Sequence, residues 1–133
     1  MKVLIDTNIL ISAALSIGST PYKAYLKAVT HPNKGVVCDQ NIDELRRVFN
    51  RKFPSRLDAL ERFLAQSLTV LEVVPTPSHS LDSESSIRDV KDRPILRAAV
   101  TADVDFILTG DRDFLESEIE KPRIVTAAQF LAE

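Results

Sequence analysis

Lys2-Val3-Leu4-Ile5-Asp6-Thr7-Asn8-Ile9-Leu10-Ile11 opens the chain. It is a short, unbroken apolar run that stops at a carboxylate and then resumes. A strand with one wet face alternates apolar and polar residues, whereas a strand covered on both faces reads apolar throughout. Lys2–Asp6 is therefore read as a strand buried on both sides with an acid at its C-terminal end. Val36–Cys38, Val70–Val74, Phe106–Thr109 and Arg123–Val125 have the same character. Helical spacing fills the gaps between them. Tyr22–Ala28 carries a small amphipathic stretch. Ile42, Leu45, Val48, Phe49 and Phe53 recur at three- and four-residue steps, and Leu57, Leu60, Phe63, Leu64 and Leu68 repeat the pattern. Pro94 suits a first helical turn ahead of Ile95, Leu96, Ala98, Ala99 and Ala102. Short helices are expected after Asp111 and Thr126, and Pro75–Ser86 reads as a surface loop leading into a short helical turn. Strand alternating with helix predicts an α/β fold, a three-layer α/β/α sandwich around a parallel sheet. Right-handed crossovers then bring the strand C-termini to one edge.

The chain has 133 residues and neither repeat nor linker, so one domain over 1–133 is expected. Seventeen Lys and Arg against nineteen Asp and Glu give a net charge of -2, which excludes a globally basic nucleic-acid binder but not a local basic patch. A single cysteine, Cys38, excludes a disulfide scaffold and a cysteine-based zinc site. It reads as a buried small hydrophobe, and a reducing cytoplasm is the expected compartment. No run reaches the roughly 18 apolar residues of a membrane span, and the N-terminal run is not read as a signal peptide.

The strand ends carry acids. Asp6 ends the first strand, Asp111 follows the fourth, Asp92 precedes the helix that feeds the fourth, and Glu44 lies in the first turn of the helix after the second. Asp39 and Asp113 are close in sequence. Taken singly, Asp6, Asp92 and Asp111 suit helix N-caps, and Glu44 would complete a capping box with Asn41. Taken together they imply a counter-charge, because unit charges ~4 Å apart repel by ~4 kcal/mol at an effective dielectric of ~20. Oxygen-only ligands favour Mg²⁺ or Mn²⁺ over zinc. Such a site would polarise a phosphodiester and acidify the attacking water.

At these residues the sequence resembles the PIN-domain ribonucleases, in particular toxin-like proteins related to the VapC group. The matching pieces are Val3-Leu4-Ile5-Asp6-Thr7-Asn8-Ile9-Leu10-Ile11-Ser12-Ala13, Glu44-Leu45-Arg46-Arg47-Val48 with Arg51-Lys52-Phe53, Lys91-Asp92-Arg93-Pro94-Ile95-Leu96, Ile107-Leu108-Thr109-Gly110-Asp111-Arg112-Asp113-Phe114-Leu115, and Ile124-Val125-Thr126-Ala127-Ala128-Gln129-Phe130-Leu131. They span nearly the whole chain in the family's order. The resemblance implies a five-stranded parallel sheet in the order 3-2-1-4-5 and an acid cluster that cleaves RNA with Mg²⁺ or Mn²⁺. Asp6, Glu44, Asp92 and Asp111 fall on the family's four acids, with Asp6, Asp92 and Asp111 holding the metal. Asp113 matches an additional, variable acid, and Thr7, Asn8 and Thr109 match polar residues that orient the acids. The resemblance also implies an antitoxin partner and a homodimer.

Arg46, Arg51, Lys52, Lys91, Arg93 and Arg112 are the expected RNA-backbone contacts, a basic rim round an acidic pocket. The competing reading makes them a solvated surface. Arg47, Arg56, Arg62 and Arg97 add to the basic composition of the same segments. Tyr22 and Tyr25 are read as packing or dimer-surface residues, and His31 and His79 as surface histidines. Two other functional classes compete. A receiver-like phospho-acceptor domain would need an Asp ending the third strand and a Lys after the fifth, where Val74-Pro75-Thr76 and Val125-Thr126 stand instead. A catalytically silent module that binds RNA or protein would not need the complete acid set.

Overall fold

The computed structural model describes residues 1–133. Strands β1 (Lys2–Ile5), β2 (Lys34–Cys38), β3 (Leu71–Val74), β4 (Phe106–Leu108) and β5 (Arg123–Val125) form one sheet in the order β3-β2-β1-β4-β5. Every neighbouring pair is parallel. The first strand thus lies in the middle, paired with β2 on one side and β4 on the other. Both faces of β1 are covered: Val3, Leu4 and Ile5 are wholly buried. Asp6 and Thr109 leave the ends of their strands, because each backbone turns there into the segment that carries the acids.

Helices α1 (Thr7–Leu15), α2 (Thr20–Val29), α3 (Asp39–Lys52), α4 (Leu57–Ser67), α5 (Arg93–Thr101), α6 (Arg112–Leu115) and α7 (Ala127–Ala132) complete the chain, with 3-10 turns at Pro54–Arg56 and Asp82–Ser86. The pleat of β1 assigns the two faces. Val3 and Ile5 point to a core built with Leu10, Tyr25, Leu45, Phe49, Leu60, Leu64 and Phe130, from α1 to α4 and α7. Leu4 points the other way, to Ile87, Ile95, Leu96, Ala99 and Phe114 around α5 and α6. This is the three-layer sandwich expected from the alternation of strands and helices.

Most boundaries move by a residue or two. The amphipathic stretch at 22–28 extends to Thr20–Val29 because the Ser19 side chain accepts from the Tyr22 N–H and Pro21 sits in the first turn. Gly35 is needed for packing, since a Cβ there would come within 2.8 Å of Leu71 and Val29 side chains. One expectation fails inside the polar 75–86 segment. Glu84 is buried rather than at the surface, because Arg97 of α5 donates to both its carboxylate oxygens at 2.8 Å. No helix is long and apolar enough to cross a membrane.

Candidate active site

The strand order reverses beside β1: the chain moves from β1 to β2 and β3 on one side, then returns to β4 and β5 on the other. Loops leaving β1 and β4 therefore diverge and open a crevice, the usual ligand position in open parallel sheets. Asp6 stands at its floor, buried, its Oδ1 accepting from the Thr7 N–H and its Oδ2 from the Thr109 hydroxyl, both at 2.8 Å. The Thr109 Oγ1 in turn accepts from the Asp111 N–H at 3.0 Å. One buried hydroxyl thus fixes Asp6 against the loop that carries Asp111. Asp111 caps α6 by accepting from the Asp113 N–H at 2.9 Å. Asn8 ties the opposite lip, its Oδ1 accepting from the Gly110 N–H at 3.2 Å.

Glu44 joins through α1. The Thr7 hydroxyl donates to Glu44 Oε2 at 3.3 Å and accepts from the Asn41 amide at 3.0 Å. The capping box expected between Asn41 and Glu44 does not form. The helix begins two residues earlier, at Asp39, so Asn41 takes the third position and its Oδ1 accepts from the Cys38 N–H at 3.1 Å. That leaves Glu44 free to face the crevice. Asn41, fully buried, is thus a second positioning residue that composition and spacing marked only as a cap.

Asp92 lies at the start of α5 but caps nothing, and its buried Oδ2 has no hydrogen-bond partner anywhere in the protein. Carboxylate oxygens of Asp92, Asp113 and Asp89 converge to within 4.8 Å of one another. Asp89 is absent from the acids picked out by the sequence. The signal available was its three-residue spacing from Asp92 in the loop before a helix. Asp39, by contrast, is occupied elsewhere: it accepts from the Gln40 N–H and the Thr76 hydroxyl.

Burial raises the Asp6 carboxyl to about 6; the Thr109 and Thr7 hydrogen bonds oppose that rise, and the charges of Glu44 and Asp111 add to it. Burial also holds Asp92 well above the ordinary carboxylate range, reinforced by the neighbouring Asp111 carboxyl and the charges of Asp6 and Asp89. Residues distant in sequence therefore share one electrostatic environment, Asp6 feeling Glu44 and Asp111, and Asp92 feeling Asp111 and Asp6.

Residues 2–113 match the PIN domain family. The chain belongs to the PIN-domain family. Its fold is similar to a chain in the crystal structure of VapBC2 from Rickettsia felis bound to a DNA fragment from their promoter, with a TM-score of 0.70 and 16% identity over 95% of this chain and 98% of that one. It is also similar to PAE2754 from Pyrobaculum aerophilum, with a TM-score of 0.61 and 18% identity over 100% of this chain and 91% of that one. No curated protein sequence matches it.

In this PIN domain the acid set fits a hard divalent cation. The converging groups are all carboxylates, and the unpartnered Oδ2 of Asp92 is a buried acceptor that the protein leaves without a donor. The expected basic residues divide. Arg51 and Lys52 lie exposed at the end of α3, roughly 10–12 Å along the helix from Glu44 at 1.5 Å per residue. Arg46 pairs with Glu61 of α4. Lys91 is exposed beside Asp92, while Arg93 turns back to donate to the Ile87 carbonyl at 3.0 Å. Arg112 pairs with Glu116. Tyr25 is buried, hydrogen-bonded to Ser67 and packed near Phe63, so it serves the core.

Proposed function

We propose that this PIN-domain protein is a Mg²⁺- or Mn²⁺-dependent endoribonuclease, that residues 1–133 act as one PIN-like unit, and that it serves as the toxin of a toxin–antitoxin pair. The observation that carries the reading is the crevice at the strand-order reversal, where Asp6, Glu44 and Asp111 are linked through Thr7 and Thr109 and Asp92 keeps an unpartnered buried oxygen. Asp6, Asp92 and Asp111 would hold the cation, with Glu44 adjacent and Asp113 supporting. The bound cation would stabilise charge on the phosphoryl oxygens and acidify the attacking water.

The rest of the chemistry belongs to the chain. Thr109 and the Thr7 backbone hold Asp6 in one rotamer and favour its charged form. Thr7 and Asn41 hold Glu44 toward the same crevice, and Asn8 keeps the two lips in register. Arg51, Lys52 and Lys91 are the exposed cations best placed to meet RNA phosphates, with Arg46, Arg93 and Arg112 engaged in contacts that RNA would have to replace. An antitoxin, by analogy with the VapBC2 assembly, and a second copy of the chain are the proposed protein partners, in the cytoplasm.

The test is cleavage of end-labelled tRNA, rRNA and mRNA transcripts by purified protein with Mn²⁺. Cleavage that disappears with EDTA and in Asp6→Asn, with unchanged circular dichroism, is the expected result. Absence of cleavage on every RNA, or cleavage that persists in EDTA, overturns the proposal. For the toxin role, expression should arrest growth of the host, and a catalytic variant should not.

A further inference from the structure

We propose that a polar cleft beside the acid crevice is the subsite for the ribonucleotide next to the cut, with Arg88 meeting its phosphate and Glu118 accepting from its 2′-hydroxyl. The inference rests on the nuclease reading and adds to it the residues that tell RNA from DNA. The cleft has a volume of about 510 Å³ and is lined by Ser85, Ser86, Arg88, Glu116 and Glu118, with no apolar residue among them. Three observations carry the assignment. First, its donors and acceptors are unequal. Arg88 is the single cation. The Ser85 and Ser86 hydroxyls donate to the Asp82 and Ser83 carbonyls, each at 3.1 Å, so their oxygens and the two glutamates are left as acceptors. A DNA phosphate brings acceptors only, and the carboxylates repel it. A ribonucleotide brings an anion for the guanidinium and a hydroxyl donor for a carboxylate. Second, Arg88 has donors to spare. Of the five N–H groups of a guanidinium, one makes a hydrogen bond here, from Nη2 to Glu116 Oε2 at 3.2 Å, while Nε stands 3.0 Å from Asp113 Oδ1. The side chain is 64% exposed, so the remaining donors are open to a phosphate. Third, the cleft adjoins the acids. Asp113 pairs with Arg88 and also places a carboxylate oxygen within 4.8 Å of those of Asp89 and Asp92. A strand with one phosphate at the acids reaches Arg88 with its neighbouring nucleotide.

The backbone at Arg88 is held while its side chain is free to turn. Ile87, just before it, is wholly buried; its N–H donates to the Glu84 carbonyl at 3.0 Å and its carbonyl accepts from Arg93 Nε at 3.0 Å. Glu116 aims the guanidinium, and it keeps a second partner, Arg112 at 3.4 Å, when Arg88 turns to a phosphate. Glu118 stands exposed two residues further on.

Binding is read apart from cleavage, by fluorescence anisotropy of labelled single-stranded RNA and DNA of the same sequence on the full chain. Ca²⁺ replaces Mn²⁺, and a gel checks that the RNA stays intact. Wild type should bind RNA more tightly than DNA. Arg88→Gln should weaken binding of both strands by about tenfold, the loss of a charge-assisted contact. Glu118→Ala should weaken RNA by about threefold and leave DNA unchanged or tighter, so that the preference for RNA falls. Lys34→Gln removes the same charge as Arg88→Gln but at the start of β2, the opposite edge of the sheet, and should stay within about twofold of wild type. Equal binding of RNA and DNA by wild type, an Arg88→Gln curve that superimposes on wild type, an equal loss in Lys34→Gln, or an equal change on both strands in Glu118→Ala overturns the proposal. The two readings fail separately. If RNA is cut in Mn²⁺ but Arg88→Gln and Glu118→Ala bind as wild type does, only the subsite falls. If both residues govern binding but no RNA is cut, only the nuclease reading falls.

Discussion

Thr109 does two jobs with one hydroxyl, donating to Asp6 and accepting from the Asp111 backbone. Valine has the same shape without the hydroxyl, so Thr109→Val leaves a buried carboxylate oxygen and a backbone N–H unsatisfied. The expected loss is about 1–3 kcal/mol of stability, read from the urea midpoint. The Asp6 carboxyl should also rise further, since the strongest of the bonds that lower it is gone. In the nuclease reading, activity then falls most at acidic pH, and the acidic limb of the pH–rate profile moves to higher pH. An unshifted limb would show that Thr109 only packs. Asp6 also sets the sign of the pH dependence of stability. Its carboxyl is raised from 3.8 to about 6, so between these values the folded chain holds a proton that the unfolded chain has released. The contribution is full below the unfolded value and is lost as pH rises through the folded one, roughly 3 kcal/mol for this group. Asp92 acts in the same direction. Metal-free protein should therefore be less stable at pH 8 than at pH 5. Mn²⁺ at a hundredfold excess over its Kd should return about 2.7 kcal/mol at the higher pH. Urea melts at both pH values, with EDTA and with Mn²⁺, check both signs.

Elements carry these residues to their places, and two loops do so in different ways. The segment after β4 is fixed by short-range bonds to Asp6 and Asn8. The segment before α5 depends on a buried ion pair, Glu84 with Arg97. The Arg97 hydrogen bonds, with that from the Leu81 N–H, hold the Glu84 carboxyl down at about 2. This group opposes Asp6 in sign: its contribution is present above the ordinary carboxylate range and is lost as pH falls toward 2. Arg97→Met should leave Glu84 buried without its partner, which lowers the thermal midpoint. In the nuclease reading it also weakens Mn²⁺ binding by loosening the loop that bears Asp89 and Asp92. An unchanged Mn²⁺ affinity would mean that the loop holds its shape without the pair. Helix α3 joins core and crevice. Phe49 is wholly buried beside Phe53, while Glu44 sits less than two turns away on the same helix. Phe49→Ala should cost about 3–5 kcal/mol by denaturant unfolding, as large-to-small changes in packed cores do.

Across the whole molecule, a net charge of -2 coexists with exposed cations at the end of α3 and beside Asp92. Local placement, not total charge, would govern contact with a polyanion. If Arg51 and Lys52 each meet a phosphate of single-stranded RNA, the double Ala variant should reduce the slope of log K against log salt by about 1.4. Binding isotherms at several salt concentrations measure it, and an unaltered slope would remove both residues from the interface. The sheet itself was legible at this scale. Five short Val- and Ile-rich runs separated by helical patterns predict a parallel sheet covered on both faces, while the central place of β1 was given only by the family resemblance, because all five runs share the same apolar character. The acids at the strand ends were legible from the runs themselves, since a carboxylate that ends a buried run must lie at the sheet's edge. Asn41 as a positioning residue, the burial of Glu84 and the approach of Asp89 to Asp113 were not. Each depends on a partner from another element, and no periodicity records where a loop folds back.

The sequence by itself determined the layers, the strands and the identity of the acids at the strand ends, because those follow from local propensity and from which residues water rejects. Only the tertiary structure decided which oxygens meet. The loop before α5 carries Asp89 and Asp92 toward Asp113 through the Glu84–Arg97 pair, and Thr7 turns Glu44 toward the floor of the crevice. Those distances are set by the packing of separate elements on one sheet, a property of the assembled chain and of no single stretch within it.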